Sequence, residues 1–285
     1  MEMVLIPNLI NQYINYLLKS GKSQNTAIAY KKDLEQFAGY LASLEKTDIR
    51  ELKKEDIEGF IKKILSDNYT KKSASRKLNS IRSFFRYLKN EGIINQNPAL
   101  EVSHPKYTQQ PPRVLTKLEY RALRDFAKNN PRIYAMIEIL LQTGIKISEL
   151  ANLKIDDIKD NYLVIKTGNQ YREVPLNKSA KKAIDAYLKT KNSPKSNDYL
   201  FTTKTNKPMI VRNIRQIISR CFQEVEIGNA TVNDLRNTFI VHQLSAGVSA
   251  EYVAKIVGHK RLSSTERYLS LVASRGEKKQ KLEEL

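Results

Sequence analysis

Residues 233–239 read NDLRNTF, and Gly258-His259 follows them, with Tyr268 nine residues beyond the histidine. The polar start and the apolar residues behind it predict a helix in which Arg236 lies one turn from the beginning. The Arg236 guanidinium, the His259 imidazole and the Tyr268 phenol are the chemically functional groups of this part of the chain. Tyr268 alone would indicate ordinary packing in a chain with 15 tyrosines. Its spacing from His259 favours a functional role.

Two further segments accompany this constellation. Residues 143–150 read TGIKISEL, in which Gly144 ends one helix and Lys146 precedes a short second helix. Residues 161–166 and 172–176 predict two strands joined by a turn at residues 167–170, with Lys166 at the end of the first strand. For Lys146 and Lys166, a solvated surface position is an equally good interpretation, because most lysines are exposed.

The remaining pattern is mainly helical. In the first hundred residues, apolar residues recur every three or four positions over residues 24–44, 53–65 and 73–90, with Ser23 as a cap for the first run. This predicts a small helical bundle. Residues 104–113 are polar, contain prolines and lack any helical period, which is typical of a linker. We therefore expect an N-terminal domain over residues 1–103 and a C-terminal domain over residues 114–285.

The C-terminal half alternates helices with one small sheet. Thr116 and Glu119 form a capping box that starts a helix, and Pro131 suits the first turn of the next. Further helices are predicted over residues 179–188, 211–226, 234–246 and 250–257, and from residue 264. His242 lies on an apolar helix face and is expected in the core. The fold class is therefore mainly α, with a hairpin or small antiparallel β-sheet in the second domain.

Charge points to a polyanionic partner. The formal net charge is +19, and residues 1–112 carry 18 basic and 12 acidic residues against 31 and 18 in the remainder. Both halves are basic, as expected for nucleic-acid binding, although a basic protein on a membrane surface would share this charge. Six basic residues spaced along one predicted helix form either a solvated face or a phosphate-binding face: Lys71, Lys72, Arg76, Lys77, Arg82 and Arg86.

Other classes of protein are excluded by what the sequence lacks. Cys221 is the single cysteine, which excludes a disulfide framework and a multi-cysteine metal site. The three histidines have no metal-ligand spacing, and no glycine-rich phosphate loop is present. We expect neither metal nor cofactor. With no apolar run of roughly 20 residues and no secretory signal, we expect no membrane association and a cytoplasmic, nucleoid-associated protein.

Together these segments strongly resemble the tyrosine recombinase (phage integrase) family, in particular its two-domain Xer-type members. The spacing from Gly258-His259 to Tyr268 is the most specific match, followed by Asp234-Leu235-Arg236. Near the N-terminus, Thr26, Tyr30, Asp33-Leu34 and Phe37 look like the first helices of the family's SAM-like core-binding domain, a bundle of four-helix type.

The resemblance implies an enzyme that cuts and rejoins DNA through a 3′-phosphotyrosyl intermediate. Tyr268 matches the nucleophile, Arg236 the second catalytic arginine and His259 the histidine that donates to the phosphate. These residue types suit the chemistry, because guanidinium groups bind non-bridging phosphate oxygens and a phenol can form a covalent phosphoester.

Three positions depart from the family pattern. Lys146 stands where the family has its first arginine, and it loses the planar fork of donors. Asn233 replaces a histidine and would also serve as a helix N-cap. Thr167 falls at the position of the hairpin lysine, with Lys166 one residue earlier. Each lost donor typically costs on the order of 10²–10³ in rate, although such losses need not multiply.

Alternatives therefore stay open at this point. One is a catalytically impaired or inactive relative that acts as a sequence-specific DNA-binding protein, and a less favoured one is a topoisomerase. For an active recombinase, the resemblance implies double-stranded DNA as partner, two protomers on a site and four in a synapse, with or without a second recombinase. The tail from residue 269 onward is a candidate for docking onto a neighbouring protomer.

Overall fold

The computed structural model describes residues 5–108, 110–168, 170–191, 195–203 and 205–272. The chain divides into two compact units, residues 1–109 and 110–285, and each is described by itself. The predicted linker spans this division. The predicted tail beyond residue 272 lies outside the described residues. Within the described ranges, no helix combines the length and the apolar character needed to cross a membrane.

Unit 1 is built from helices α1 (Ile6–Lys19), α2 (Gln24–Ala42), α3 (Lys54–Ser66) and α4 (Lys71–Asn90), with 3-10 turns at Ile49–Glu51 and Pro98–Leu100. Ser23 caps α2 as predicted, since its hydroxyl accepts from the Thr26 backbone N–H at 3.2 Å. Thr70 caps α4 in the same way, which explains why that helix begins two residues before the predicted start. Aromatic rings fill the core between the helices: Tyr13, Phe37, Phe60, Phe84 and Phe85.

A buried ion cluster in unit 1 corrects part of the predicted phosphate-binding face. Asp33 is 1% exposed and accepts from Lys77 Nζ at 3.0 Å, from Arg76 Nη2 at 2.8 Å and from Ser80 Oγ at 2.9 Å. A buried carboxylate requires such partners, so Lys77, itself 4% exposed, is a packing residue and not a surface contact. Four of the six predicted residues are exposed: Lys71, Lys72, Arg76 and Arg86.

Arg82 is also engaged within unit 1. Its guanidinium donates to the carbonyls of Ala99 at 2.9 Å and Val102 at 2.6 Å, and its Nη1 lies 2.8 Å from His104 Nε2. His104 Nδ1 lies 2.9 Å from the Ser75 hydroxyl. Arg82 therefore holds the end of unit 1 against α4, and the phosphate contact predicted for this residue stays a prediction. His104, the first residue of the predicted linker, is held by unit 1.

Unit 2 contains the helices α5 (Lys117–Ala127), α6 (Pro131–Thr143), α7 (Ile147–Ala151), α8 (Lys178–Leu188), α9 (Val211–Glu224), α10 (Val232–Ser245), α11 (Ala250–Val257) and α12 (Ser263–Glu266). The predicted capping box of α5 is present, with Thr116 and Glu119 bonded reciprocally. Helix α6 is buried along most of its length and packs against α5, α8 and α10. His242 is exposed on α10, so the prediction that it lies in the core is wrong.

The small sheet is an antiparallel hairpin of β1 (Tyr162–Thr167) and β2 (Gln170–Pro175). Thr167 pairs with Gln170, so the connection is two residues long and tighter than predicted, with Gly168 at a φ of 60°. One face of the hairpin is buried, and it carries Leu163 and Ile165. The mainly helical fold with one small antiparallel sheet is confirmed.

Candidate active site

Arg236 lies one turn into α10, as predicted, and its Nη1 donates to the carbonyl of Gly144 at the end of α6. Gly144 has a φ of 63°, and a Cβ there would collide with the ring of Phe239. Both facts require glycine. Burial lowers the pKa of Arg236.

The second terminal nitrogen of Arg236, Nη2, is buried and has no hydrogen-bond partner among the described residues. Most buried polar groups are paired, and an unpaired donor typically costs about 1–3 kcal/mol. A bound anion would supply the missing acceptor and remove this cost. Among the described residues, this unpaired guanidinium nitrogen is therefore the candidate to receive an anionic ligand once the site opens.

Lys146 adds a second cation to the same site. It precedes α7, and its backbone N–H donates to Glu149 Oε2 at 2.8 Å, while its Nζ lies 3.8 Å from Glu149 Oε1. Burial lowers the pKa of Lys146, and the neighbouring charges of Arg236, Arg172 and Lys260 lower it further against the opposing effect of Glu149. Lys146 therefore lies near Arg236, although a lysine lacks the paired N–H donors of an arginine guanidinium.

Arg172 is a neighbour that the sequence analysis missed. Its Nη1 and Nη2 donate to the two oxygens of Glu149 at 3.0 and 2.8 Å, and its Nε donates to the carbonyl of Ile256 at 2.7 Å. A Cβ on Gly258 would lie 2.9 Å from the Arg172 guanidinium carbon, so the glycine before His259 makes room for this arginine. Burial alone would raise the pKa of Glu149, but hydrogen bonds from Arg172 and from the Lys146 backbone lower it overall.

His259 is oriented by a buried threonine. Its Nδ1 lies 2.7 Å from the hydroxyl of Thr265, which leaves Nε2 for a ligand. Burial, followed by the charges of Arg236, Arg267, Lys146 and Arg172, lowers the pKa of His259 to about 4. The imidazole is therefore neutral at pH 7. In the tautomer in which Nδ1 accepts from the Thr265 hydroxyl, Nε2 carries the hydrogen and can donate to an anion.

This lowered pKa predicts how stability depends on pH. An unfolded histidine titrates near 6.5, so below that pH the unfolded chain takes up a proton that folded His259 does not. The contribution of His259 to the free energy of unfolding is complete above pH 6.5 and is lost as the pH falls towards 4. We expect this loss to be about 1 kcal/mol, after allowance for solvent screening.

Urea unfolding between pH 7.5 and pH 4.5 measures this effect. His259→Gln should make the stability of the chain less dependent on pH, because glutamine does not titrate. His242→Gln, at an exposed position of α10, is the matched control and should follow the wild type. Parallel curves for the wild type and His259→Gln would contradict the prediction.

Tyr268 lies in the same neighbourhood but is buried. It is 2% exposed, and its hydroxyl donates to Asn237 Oδ1 at 2.8 Å and accepts from Arg267 Nη2 at 3.2 Å. The guanidinium carbon of Arg267 lies 5.0 Å from the centre of the Tyr268 ring. Arg236 interacts electrostatically with Tyr268, and His259 with Arg236. The guanidinium, imidazole and phenol that the sequence singled out therefore lie in one neighbourhood, although no hydrogen bond joins any two of them among the described residues.

Asn233 is exposed in the first turn of α10, three residues before Arg236. Residues at this spacing share a helix face, so Asn233 lies on the Arg236 side of the helix. The alternative interpretation, in which Asn233 is the N-cap of this helix, is wrong. Thr231 takes that position, and its backbone N–H donates to Asp234 Oδ2 at 2.7 Å.

Lys166 does not join the gathered groups. Its Nζ donates to Asp157 Oδ1 at 2.6 Å, and its partner across the hairpin is Tyr171, one residue before Arg172. Because strand side chains alternate, Lys166 lies on the face opposite Arg172, whereas Thr167 shares the Arg172 face. Lys166 stands one residue before the position of the family lysine, and its side chain therefore lies on the other face of the hairpin from Arg172.

Sequence reasoning missed four residues that contact the site: Glu149, Arg172, Asn237 and Arg267. A signal existed for Arg172, because it alternates with buried Val174 and so occupies the apolar face of its strand. An arginine at such a position needs a buried acceptor. Asn237 and Arg267 adjoin the predicted residues Arg236 and Tyr268, but adjacency in sequence does not predict their contacts.

Family models match both units. The phage integrase family model matches residues 113–275, more than half of the chain, and the phage integrase N-terminal SAM-like domain model matches residues 10–92. The SAM-like domain that the sequence predicted is thereby confirmed.

Individual relatives extend over nearly the whole chain. Tyrosine recombinase XerD of Listeria monocytogenes is 30% identical, with 92% of this chain and 93% of the relative covered. Tyrosine recombinase XerC of Oceanobacillus iheyensis is 32% identical, with 91% and 90% covered.

Solved structures show the same fold. A lambda integrase dimer bound to a COC′ core site has a TM-score of 0.75 at 17% identity, covering 92% of this chain and 97% of that one. The Tn1549 transposon integrase in complex with circular intermediate DNA has a TM-score of 0.75 at 19% identity, covering 93% and 95%. The site geometry, the two family models and the full-length relatives agree, and the chain belongs to the phage integrase family of tyrosine recombinases.

Proposed function

We propose that this protein is a site-specific DNA recombinase that cuts and rejoins strands through a 3′-phosphotyrosyl intermediate. The buried, unpaired Nη2 of Arg236 is the observation that carries this proposal. It lies in a site that also holds the cation of Lys146, the neutral imidazole of His259 and the phenol of Tyr268. A phosphodiester supplies the missing acceptor and gains negative charge during attack, which these donors stabilise.

The proposed reaction exchanges one phosphoester for another. The Tyr268 oxygen bonds to phosphorus, the bond from phosphorus to the 5′ oxygen breaks, the phenol loses its proton and the leaving 5′ oxygen gains one. The phosphotyrosine conserves the bond energy, so the 5′ hydroxyl of another strand can reverse the step and rejoin the DNA. Arg236 binds non-bridging oxygens, and His259 donates from Nε2.

Lys146 is our candidate for the proton donor to the leaving 5′ oxygen. Asn233 is an amide and cannot donate a proton near neutral pH, while Lys166 is held by Asp157. Lys146 carries an ammonium whose pKa is lowered by burial, which makes it a better acid than an ordinary lysine.

Substitution of Lys146 should change the rate of DNA cleavage in a way that identifies the proton donor. We expect Lys146→Arg to slow cleavage by about 10²-fold, because a guanidinium keeps the charge but does not release a proton. A substrate with sulfur in place of the leaving 5′ oxygen should restore the rate, since a thiolate leaves without protonation. Lys166→Arg is the matched control and should cleave both substrates at the wild-type rate. A Lys146→Arg variant that sulfur does not rescue would reject Lys146 as the acid.

The DNA-bound arrangement follows by similarity. The lambda integrase relatives are a dimer on a core site and a tetramer bound to a Holliday junction. We propose that residues 1–103 and 114–285 form the core-binding and catalytic domains, that two protomers occupy a site and that four form a synapse. We propose that four exposed basic residues contact DNA phosphates: Lys71, Lys72, Arg76 and Arg86. Such contacts make the affinity for DNA fall as the salt concentration rises. Action on chromosomal DNA would place the protein at the nucleoid.

The test begins with the chain's own DNA site, selected from a random duplex library. Substrates with a nick beside each candidate cleavage point then trap a covalent intermediate, because the small cleaved fragment diffuses away. We expect a protein–DNA adduct whose linked peptide contains Tyr268. Specific binding without an adduct on any nicked substrate would reject the enzyme and support the second candidate, a DNA-binding relative with an impaired site.

A further inference from the structure

The nucleophile proposed above is not accessible in the structure. Tyr268 is 2% exposed, and its hydroxyl hydrogen is directed at Asn237 Oδ1, 2.8 Å away. A phosphodiester within a duplex is bulky and cannot reach a hydroxyl at this depth. The contact with Asn237 must open, or the segment must shift, before Tyr268 can attack.

The amide of Asn237 has a defined orientation. Its Nδ2 donates to the backbone carbonyl of Arg113 at 3.0 Å and to Asp234 Oδ1 at 3.2 Å. A carbonyl and an ionised carboxylate are acceptors, so both require the NH₂ group on their side. The amide oxygen is therefore the atom that faces the Tyr268 hydroxyl.

This orientation opposes the reaction in a specific way. An amide oxygen accepts the hydrogen bond of the phenol but cannot take its proton, so Asn237 holds the hydroxyl in place without activating it. As the phenol loses its proton, its oxygen would face the lone pairs of Oδ1. Arg267 has the reverse effect, because its Nη2 donates to the phenol oxygen at 3.2 Å.

We propose that Asn237 is a positioning residue that holds the Tyr268 hydroxyl in a buried resting orientation until DNA occupies the site. The bond to Arg113 extends this restraint to the segment through which the chain enters unit 2. Arg113 is itself fastened there, since its Nη2 donates to Glu119 at 2.7 Å. This inference rests on the proposed role of Tyr268 as nucleophile.

Single-turnover adduct formation on the nicked substrate tests the restraint. We expect Asn237→Ala and the nearly isosteric Asn237→Leu to form the adduct about 2- to 10-fold faster than the wild type, the range that corresponds to one net hydrogen bond. His242→Ala, at an exposed position of the same helix, should leave the rate unchanged. Equal or slower adduct formation by both Asn237 variants would overturn the proposal. So would the failure of both variants to fold, since the amide would then have a structural role.

A second measurement needs no DNA and separates this inference from the proposed function. Iodination of the free protein, mapped peptide by peptide, reports how accessible each tyrosine is. We expect Tyr268 to react several-fold faster in both Asn237 variants than in the wild type, while exposed Tyr252 reacts equally in all. If the wild type forms no adduct, the recombinase function fails, and the iodination result still decides the role of Asn237. Unchanged iodination of Tyr268 would reject the resting state itself.

Discussion

Tyr268→Phe is expected to abolish the covalent protein–DNA adduct while DNA binding persists. The substitution removes one oxygen atom and leaves the aromatic ring in the core, where Tyr268 is 2% exposed. The folded state loses the hydrogen bond to Asn237, which contributes about 1 kcal/mol. The fold and the basic surface should therefore survive, and the loss should be confined to the chemical step.

Two assays on the same protein preparations give the result. Gel shifts on the selected DNA site should give equal affinity for wild type and variant, and denaturing gels on nicked DNA should show an adduct for the wild type alone. Tyr252→Phe, at an exposed position at the start of α11, is the matched control and should retain the adduct. A persistent adduct in Tyr268→Phe would assign the nucleophile to another residue.

The second large effect concerns Arg236. Arg236→Met keeps most of the volume of the side chain and removes the charge that stabilises the attacked phosphate. We expect single-turnover cleavage to fall by about 10²–10³, the typical cost of one positioned oxyanion donor. The free energy of unfolding should change little, because the variant no longer buries the unpaired Nη2 but also loses the hydrogen bond from Nη1 to the Gly144 carbonyl.

Arg172→Met is the informative comparison for this variant. It removes a guanidinium of the same site, but one that is paired, and it leaves buried Glu149 without its two hydrogen bonds from that guanidinium. We expect this variant to be destabilised by about 3–5 kcal/mol in urea. If Arg236→Met lowers the free energy of unfolding as much as Arg172→Met, the idea that Arg236 has an unpaired nitrogen available for a ligand is wrong.

Local patterns predicted the elements of this fold well. The caps at Ser23 and Thr116, the stop at Gly144 and the limits of α11 follow from side chains within a few residues of each helix end. Interactions of this range are visible in a sequence because their partners lie within a turn or two.

The contacts that complete the site are of a different kind. Arg236 meets Gly144 across 92 positions, and Arg172 meets Ile256 across 84. Periodicity says which face of an element is buried, but it does not say which distant element covers that face. The partners of Arg172, Asn237 and Lys77 therefore could not be predicted from the sequence, and buried Lys77 was placed on a solvated or phosphate-binding face.

Arg172 links two segments of the chain, each of which carries a side chain that we propose binds the DNA phosphate. Its guanidinium donates to Glu149, and the Glu149 carboxylate also accepts from the backbone N–H of Lys146. The same guanidinium donates to the carbonyl of Ile256, three residues before His259. The alignment of Lys146 relative to His259 is thus set by a single side chain of the hairpin. Errors in their placement should be correlated, so kinetic losses from substitutions at Arg172, Lys146 and His259 should overlap instead of multiplying when they are combined.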